Sequence, residues 1–218
     1  MKILRIFLFS VFIMLGISQM VSAAEYPWEL KKDEDGIQAF VRKVEGSSIL
    51  EYKGVVTVDA SLEDAVSFFE DDTRTTEWFH NCTEFRVLKA ESPDQKILYS
   101  VIEMPWPVSD RDVVFRRIRT KDAVTGVVRY ENSALPEDYP EQKGKVRMPY
   151  LKGSWSFVPH PGGGTEITYQ EHSEVGGHIP DWLVNKLAVN IPFNSLAHFR
   201  ELLLTKPDVV FKETATDS

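Results

Sequence analysis

Met104–Phe115 reads Met-Pro-Trp-Pro-Val-Ser-Asp-Arg-Asp-Val-Val-Phe. Two prolines flank Trp106, so the backbone lacks two hydrogen-bond donors there and is stiffened around a large indole. The residues that follow, Asp112–Thr120, are rich in β-branched and aromatic side chains, which favours a strand. The segment therefore predicts a rigid loop with a tryptophan at its tip that leads into a strand.

The first part of the chain, up to His80, is predicted to form two strands and two short helices. Apolar and polar residues alternate in Ile37–Val41, and Ile49–Val58 is a second β-rich run after a Gly-Ser-Ser turn. Ser61 is a good N-cap for a short amphipathic helix that ends near Asp71. A second short helix is predicted at Arg74–His80.

The chain after this loop is predicted to complete a sheet and then form one long helix. Two further strands are predicted before the loop, at Glu84–Lys89 and Ile97–Glu103. The strands predicted after the loop are Asp112–Thr120, Thr125–Ser133, Gly144–Leu151, Gly153–Pro159 and Thr165–Glu174. Their spacing and turn residues favour one large antiparallel sheet. Asp181–Leu204 carries apolar residues at three- and four-residue steps, which predicts a long amphipathic helix that Pro192 kinks or divides. The order of elements is α+β, and a strongly curved sheet would wrap the last helix.

Four motifs, in order, resemble those of the steroidogenic-acute-regulatory-related lipid-transfer (START) family. They are Asp71–Trp78, the Pro-Trp-Pro loop with Arg111 and Asp112, Lys152–Pro159, and Gly176–Leu183. The resemblance extends from Trp28 to Leu204. It implies a helix-grip fold, in which a curved antiparallel β-sheet wraps around the long C-terminal α-helix and an internal hydrophobic tunnel holds one lipid.

The resemblance also implies a lipid-binding site on the inner face of the sheet, the loop and the last helix. We predict that this site contains Trp78, Phe79, Tyr99, Val101, Glu103, Trp106, Phe115, Arg117, Tyr169, Trp182, Leu183, Leu187 and Ile191. In the family the loop borders the tunnel mouth, so Trp106 is interpreted as part of a gate against the last helix. The alternative is that Trp106 only packs the loop onto that helix. The ligand class stays open among sterol, phospholipid, fatty acid and quinone.

Arg117 is predicted to be a polar anchor inside the tunnel. It shares one face of its strand with Val113 and Phe115, so it would point toward the core, and a buried arginine needs a partner. The family often has a charged pair in its tunnel with an arginine at this place, and Glu103 is the candidate acid. The alternative is a solvated charge on the outer face. Arg111 and Asp112 are interpreted as structural, because charges at the base of a loop usually satisfy backbone hydrogen bonds.

Motifs of hydrolytic and metal enzymes are missing from the sequence. The five histidines show no H-E-x-x-H spacing, no G-x-S-x-G elbow occurs, and the glycines of Pro161–Gly164 lack the lysine of a phosphate-binding loop. We therefore predict no catalytic residue, no cofactor and no metal.

An enzyme of the wider helix-grip superfamily, such as a polyketide cyclase, is nevertheless the main alternative to a carrier, since one fold hosts several functions. Tyr99, Tyr169, Glu171 and His172 would supply its acid–base groups. A protein-interaction module that uses the Trp106 loop is a third hypothesis.

The first residues are typical of an export signal. Lys2 and Arg5 precede the apolar run Ile6–Ile17, and the small residues Ser22–Ala24 follow. We predict a signal peptide at residues 1–24 and export of the mature chain, to the periplasm in a bacterium and otherwise by secretion. The uncharged stretch Ile6–Ala24 nearly spans a bilayer, so an uncleaved membrane anchor is the alternative.

The remaining chain is acidic and has the length of one domain. We place a START lipid-binding domain at residues 25–206 and a polar C-terminal tail, predicted to be disordered, at 207–218. Removal of Lys2 and Arg5 would take the formal net charge from −8 to −10, which disfavours nucleic acid as a partner and leaves apolar contacts for any transient membrane contact. The single cysteine, Cys82, excludes an internal disulfide and is interpreted as a buried apolar residue rather than a reactive thiol. We expect a monomer.

Overall fold

The computed structural model describes residues 26–205 of the 218-residue chain. The predicted signal peptide at 1–24 and the predicted tail at 207–218 lie outside these residues. Within the described range, no helix is long and apolar enough to cross a membrane.

The described residues form one curved antiparallel sheet with a long helix against it, which confirms the predicted α+β architecture. The strands are β1 (Glu29–Glu34), β2 (Ile37–Val44), β3 (Ser47–Val58), β4 (Cys82–Ser92), β5 (Gln95–Ile102), β6 (Asp110–Lys121), β7 (Val128–Ala134), β8 (Lys145–Arg147), β9 (Tyr150–Pro159) and β10 (Thr165–Glu174). Their spatial order is β1-β2-β3-β10-β9-β7-β6-β5-β4, and the short β8 pairs in parallel with β6.

Two strands differ from the sequence prediction. β1 was missed because its sequence, ELKKDE, has no apolar alternation; it is a charged, exposed edge strand. The break predicted at Lys152 is wrong, since β9 runs unbroken from Tyr150 to Pro159 and pairs with β10 along its length. The actual break is at Met148 and Pro149, where a proline cannot donate to the ladder.

Two short helices follow β3 and cover one part of the inner face. α1 (Leu62–Glu70) begins as predicted, because the Ser61 hydroxyl accepts a hydrogen bond from the Asp64 amide at 3.1 Å. A 3₁₀ turn (Asp72–Arg74) and α2 (Thr75–Trp78) come next. The second predicted helix is therefore shorter than expected and stops before Phe79, whose backbone is extended.

The C-terminal helix α3 (Asp181–Leu204) passes through Pro192 without a break, so the predicted division is wrong. Pro192 lies against Gly54 of β3, where an added Cβ would be 3.0 Å from the proline Cβ and 2.7 Å from Leu196 Cδ1. The helix therefore reaches the sheet at a position where only glycine leaves enough room.

The main core lies between the sheet, α1 and α3, and it is largely aromatic. Phe69 packs on Trp155 and Phe157, and Phe199 of α3 contacts Trp78. A second, smaller cluster on the inner face contains Leu98, Val113, Phe115, Met148 and Leu151. Residues of both clusters line the space between them, which is the cavity described below.

Candidate functional site

A cavity of about 90 Å³ lies between the inner face of the sheet, α2 and the first half of α3. Most of its lining is aliphatic or aromatic. Of the predicted site residues, those that line it are Trp78, Phe79, Phe115, Arg117, Tyr169, Leu187 and Ile191. The period of two on β6 thus predicted the inward face correctly.

Tyr99 and Val101 were assigned to the wrong face of β5. Both are buried, but they pack with Val114 on the outer side of the sheet, beneath Leu135 and Tyr139. Ser100 and Ile102, one residue out of register with the prediction, face the cavity instead. The error arose because the segment after β7 covers this part of the outer face, so both faces of β5 carry apolar residues.

Glu103 is not the partner of Arg117. It is exposed and lies beyond the end of β5, whereas the residue opposite Arg117 in the hairpin is Lys96. The acid comes from the 3₁₀ turn: Asp72 Oδ1 lies 3.5 Å from Arg117 Nη1, and Arg117 Nε donates to Asn132 Oδ1 at 3.3 Å. Asp72 also pairs with Lys96 Nζ at 2.5 Å.

Arg117 is buried, so the alternative of a solvated outer charge is wrong. Its guanidinium lies 4.7 Å from the ring centre of Phe69 and within 6 Å of the rings of Phe85 and Phe115. Burial lowers the pKa of Arg117, and the charge of Asp72 opposes this shift. Because these contacts of the buried guanidinium are long, 3.3 and 3.5 Å, it retains N–H donors that a ligand oxygen can use.

Besides Tyr99, Val101 and Glu103, three more predicted residues lie outside the cavity lining. Trp106 is 92% exposed, so it does not pack the loop onto α3, and that alternative is wrong. Trp182, in the first turn of α3, is 68% exposed, and Leu183 is half-buried without lining the cavity.

Arg111 joins the Trp106 loop to the segment before α3. Its Nε and Nη2 donate to the carbonyls of Val175 and Gly176 at 3.2 and 3.0 Å, and its Nη1 donates to Ser109. Asp112 is held by Arg147, whose Nη2 lies 2.9 Å from Asp112 Oδ2. These contacts agree with the structural interpretation of both residues, although Arg111 also borders the cavity.

Tyr52 and Glu171, which are not among the predicted lipid-binding residues, also reach the cavity and contact Tyr169 there. The Tyr52 hydroxyl lies 2.7 Å from that of Tyr169 and 2.9 Å from Glu171 Oε1, and Tyr169 donates to Glu171 Oε2 at 3.0 Å. Burial raises the pKa of Glu171 to about 7, against the opposing effect of these hydrogen bonds. Tyr52 has the same inward period as Gly54 and Val56, which was the signal available in the sequence.

Two further buried polar atoms belong to residues that line the cavity. Thr75 Oγ1 and Trp78 Nε1 are buried, and neither has a hydrogen-bond partner among residues 26–205. An unpaired buried donor is unfavourable, so a ligand oxygen at this position would stabilise the structure. The same range contains no group of three or more His, Cys, Asp or Glu side chains placed to hold a metal ion.

The curved antiparallel sheet and the long C-terminal helix are found in a known family. The family model of the START domain matches residues 14–205. The chain belongs to the START domain family. Members of this family bind lipids and other hydrophobic ligands.

Individual proteins resemble the chain over most of its length. An uncharacterized protein of Pseudomonas aeruginosa is 40% identical over 173 residues, which are 79% of this chain and 85% of that protein. The phosphatidylcholine transfer protein of Mus musculus is 28% identical and covers 75% of this chain and 77% of its own. The crystal structure of a STAR-related lipid transfer protein fragment from Xanthomonas axonopodis has a TM-score of 0.75 at 37% identity, covering 81% of this chain and 98% of the fragment.

Proposed function

We propose that this START domain protein is a non-enzymatic carrier that binds one lipid between the sheet and α3 and transfers it between membranes. The observation that carries the proposal is the combination of a mostly apolar cavity with a buried Arg117 and the unpartnered Thr75 and Trp78 donors. An apolar chain would gain about 25 cal/mol for each Å² removed from water. The polar end of the lipid would accept hydrogen bonds from the donors near Arg117.

In this structure the cavity is too small for a whole lipid. A volume of about 90 Å³ is only about three times the volume of one water molecule in the liquid, about 30 Å³. Lipid entry therefore requires the Trp106 loop or α3 to move. We propose that these two elements form the gate, because Arg111 connects the loop to the segment from which α3 begins.

Extraction of the purified protein, followed by mass spectrometry, tests carriage against catalysis. A carrier yields a stoichiometric, unmodified lipid. A cyclase-like enzyme would instead convert an added aromatic polyketide substrate and release a cyclised product. Detection of such turnover would exclude the proposal.

Arg117→Met tests the polar anchor. We expect affinity for a lipid with a phosphate or carboxylate head to fall about tenfold or more, since a charged hydrogen bond contributes about 1.5–3 kcal/mol. Affinity for a plain hydrocarbon of equal length should change little. Arg116→Met, on the opposite face of β6, is the matched control because Arg116 does not line the cavity. An equal loss for both ligands would contradict the anchor.

We further propose that Trp106 and Trp182 dock the carrier transiently on a membrane. Arg111 links the base of the Trp106 loop to Gly176, six residues before Trp182, so both exposed indoles lie toward the same end of the molecule. Indoles partition well into the interface between water and lipid. Export through the signal at residues 1–24, a monomeric state and the absence of a nucleic-acid partner complete the proposal and rest on the sequence alone.

A further inference from the structure

Tyr52, Tyr169 and Glu171 form a closed ring of hydrogen bonds on the cavity wall, which we call the acid–phenol ring. The three side chains come from the adjacent strands β3 and β10, and each is at most 7% exposed. All three line the cavity. Gly153 on β9 makes room for the ring, because a Cβ there would be 3.1 Å from Glu171 Cβ.

The number of hydrogens determines the charge of this ring. Three short oxygen–oxygen contacts, of 2.7, 2.9 and 3.0 Å, each need one hydrogen between the two atoms. The two phenols supply two hydrogens, so the third comes from a protonated Glu171. Burial raises the pKa of Glu171 to about 7, in agreement with this count.

The groups around Glu171 provide no cation for its carboxylate. Within residues 26–205 it has no ion-pair partner; its contacts are Tyr52 on β3 and Tyr169 and Ser173 on β10. Gly153 lies opposite it on β9, and α3 contributes only apolar cavity residues. The charge of Arg117 opposes the rise in the pKa of Tyr169 that burial causes, and it does not contribute to the pKa shift of Glu171.

In the neutral ring every hydrogen is used within the ring, so the oxygens can accept a further hydrogen bond but cannot donate one. It therefore suits a ligand group that donates a hydrogen bond. A cationic donor is disfavoured, because both Arg111 and Arg117 border the same cavity. We infer that the acid–phenol ring is a second polar subsite, separate from Arg117, that accepts a hydrogen bond from a hydroxyl group of the bound lipid. This inference rests on the proposed carrier function.

The subsite couples binding to a proton. Once Glu171 is ionised, both phenols donate to its oxygens, and a ligand hydroxyl can donate one further hydrogen bond to the carboxylate. A ligand without a hydroxyl instead removes water from a carboxylate that has no cation beside it, so its affinity should fall as pH rises through 7. From pH 6 to pH 8 this fall should be about tenfold, because each pH unit above the pKa changes the neutral fraction about tenfold.

Competition against a fluorescent fatty-acyl probe, with hexadecan-1-ol and its methyl ether as competitors at pH 6 and pH 8, tests the inference. We expect the alcohol to bind equally well at both pH values and the ether to weaken about tenfold at pH 8. In Glu171→Gln the ether should lose this pH dependence, since the amide keeps a donor and cannot ionise. In Tyr52→Phe the alcohol should lose most of its advantage in affinity over the methyl ether.

The possible outcomes distinguish failure of the subsite from failure of the carrier function. Equal binding of alcohol and ether at both pH values would overturn the subsite while leaving the carrier intact. Tighter binding of hexadecylamine than of the alcohol at pH 8 would also overturn it, because the ring would then be a cation site. A fluorescent probe that fails to bind at either pH would overturn the carrier function itself. Arg117→Met should retain the difference between alcohol and ether, which separates the two polar subsites.

Discussion

Individual buried polar side chains determine which head group the cavity accepts. Arg117 shares Asp72 with Lys96, so the acid keeps a partner when a ligand draws on the guanidinium. Glu171, by contrast, has only hydroxyl groups around its carboxyl oxygens. The site therefore combines one permanently charged group with one whose charge depends on pH.

Glu171→Gln should remove a pH dependence of folding stability. The folded-state pKa of Glu171 is about 7, above its ordinary value of 4.5, so the folded chain holds a proton that the unfolded chain has released. Stability from this group is fully present below pH 4.5 and is lost as pH rises to 7. The loss is on the order of 3 kcal/mol.

Urea unfolding of both proteins at pH 5, 6, 7 and 8 measures this effect. The advantage of the glutamine variant should grow with pH and level off above 7. Glu166→Gln, on the opposite face of β10, is the control and should show no growing difference. A constant difference for Glu171→Gln at all four pH values would mean that the carboxyl is ionised throughout.

Sequence patterns predicted some site residues and missed others for identifiable reasons. Arg117 followed from the alternation on its strand, because Val113 and Phe115 mark the inner face. The face on which Tyr99 lies could not be predicted in this way, since a covering segment more than 35 residues away in sequence makes the outer face of β5 apolar. Asp72 was missed because a 3₁₀ turn brings it to β6 through tertiary packing, which has no periodic signal.

At the scale of elements, the position of α3 depends on the small residue beneath it. We predict that Gly54→Ala destabilises the protein by about 1–3 kcal/mol, because the new methyl group would overlap Leu196 and force α3 away from β3. Urea unfolding measures the loss. Thr57→Ala, an exposed position on the same strand, should stay within about 0.5 kcal/mol of the parent. An unchanged midpoint for Gly54→Ala would show that α3 is not held at this contact.

The Arg111 contacts should control how easily the proposed gate opens. Arg111→Gln loses hydrogen bonds to three carbonyls on two segments, each of which contributes about 1.5–3 kcal/mol when the donor is charged. We expect amide exchange in residues 105–109 and 175–184 to accelerate about tenfold or more, measured by deuterium uptake. Arg129→Gln, exposed on β7, is the control. Equal acceleration throughout the sheet would assign Arg111 to general stability instead.

The elements themselves were largely predictable, and the exceptions have physical causes. α3 and the long strands carry regular apolar periods, and the Ser61 cap marks the start of α1. Pro192 suggested a division that the structure does not contain, because packing against Gly54 supports the helix at the residue that lacks a donor. β1 was invisible because an exposed edge strand needs no apolar face.

For the whole molecule, the proposed membrane contact should be apolar rather than electrostatic. With a formal net charge of −8, the chain is not attracted to anionic headgroups. We predict that Trp106→Ala and Trp182→Ala each reduce partition onto liposomes about tenfold, and that added salt does not weaken binding of the parent protein. Sedimentation with liposomes measures both effects.

Val124→Ala provides a control with a similarly exposed apolar residue. Val124 is 96% exposed and lies past the far end of β6, which separates it from the Trp106 loop by roughly 40 Å at about 3.3 Å per residue. Its loss should leave liposome binding unchanged. Equal effects of all three substitutions, or release of the protein by salt, would contradict docking through the two tryptophans.

The gap between the two inner hydrophobic clusters has a consequence for the life of the protein. A lipid that fills this gap would join the clusters into one continuous interior, so cargo and polypeptide would share a single core. Binding that favours the folded state adds RT ln(1 + [L]/Kd) to its stability, about 2.7 kcal/mol at a hundredfold excess over Kd. Delivery of the lipid would then leave a weaker molecule behind. Emptied carriers should be the ones that proteases remove first, so that turnover of the protein follows the supply of its ligand.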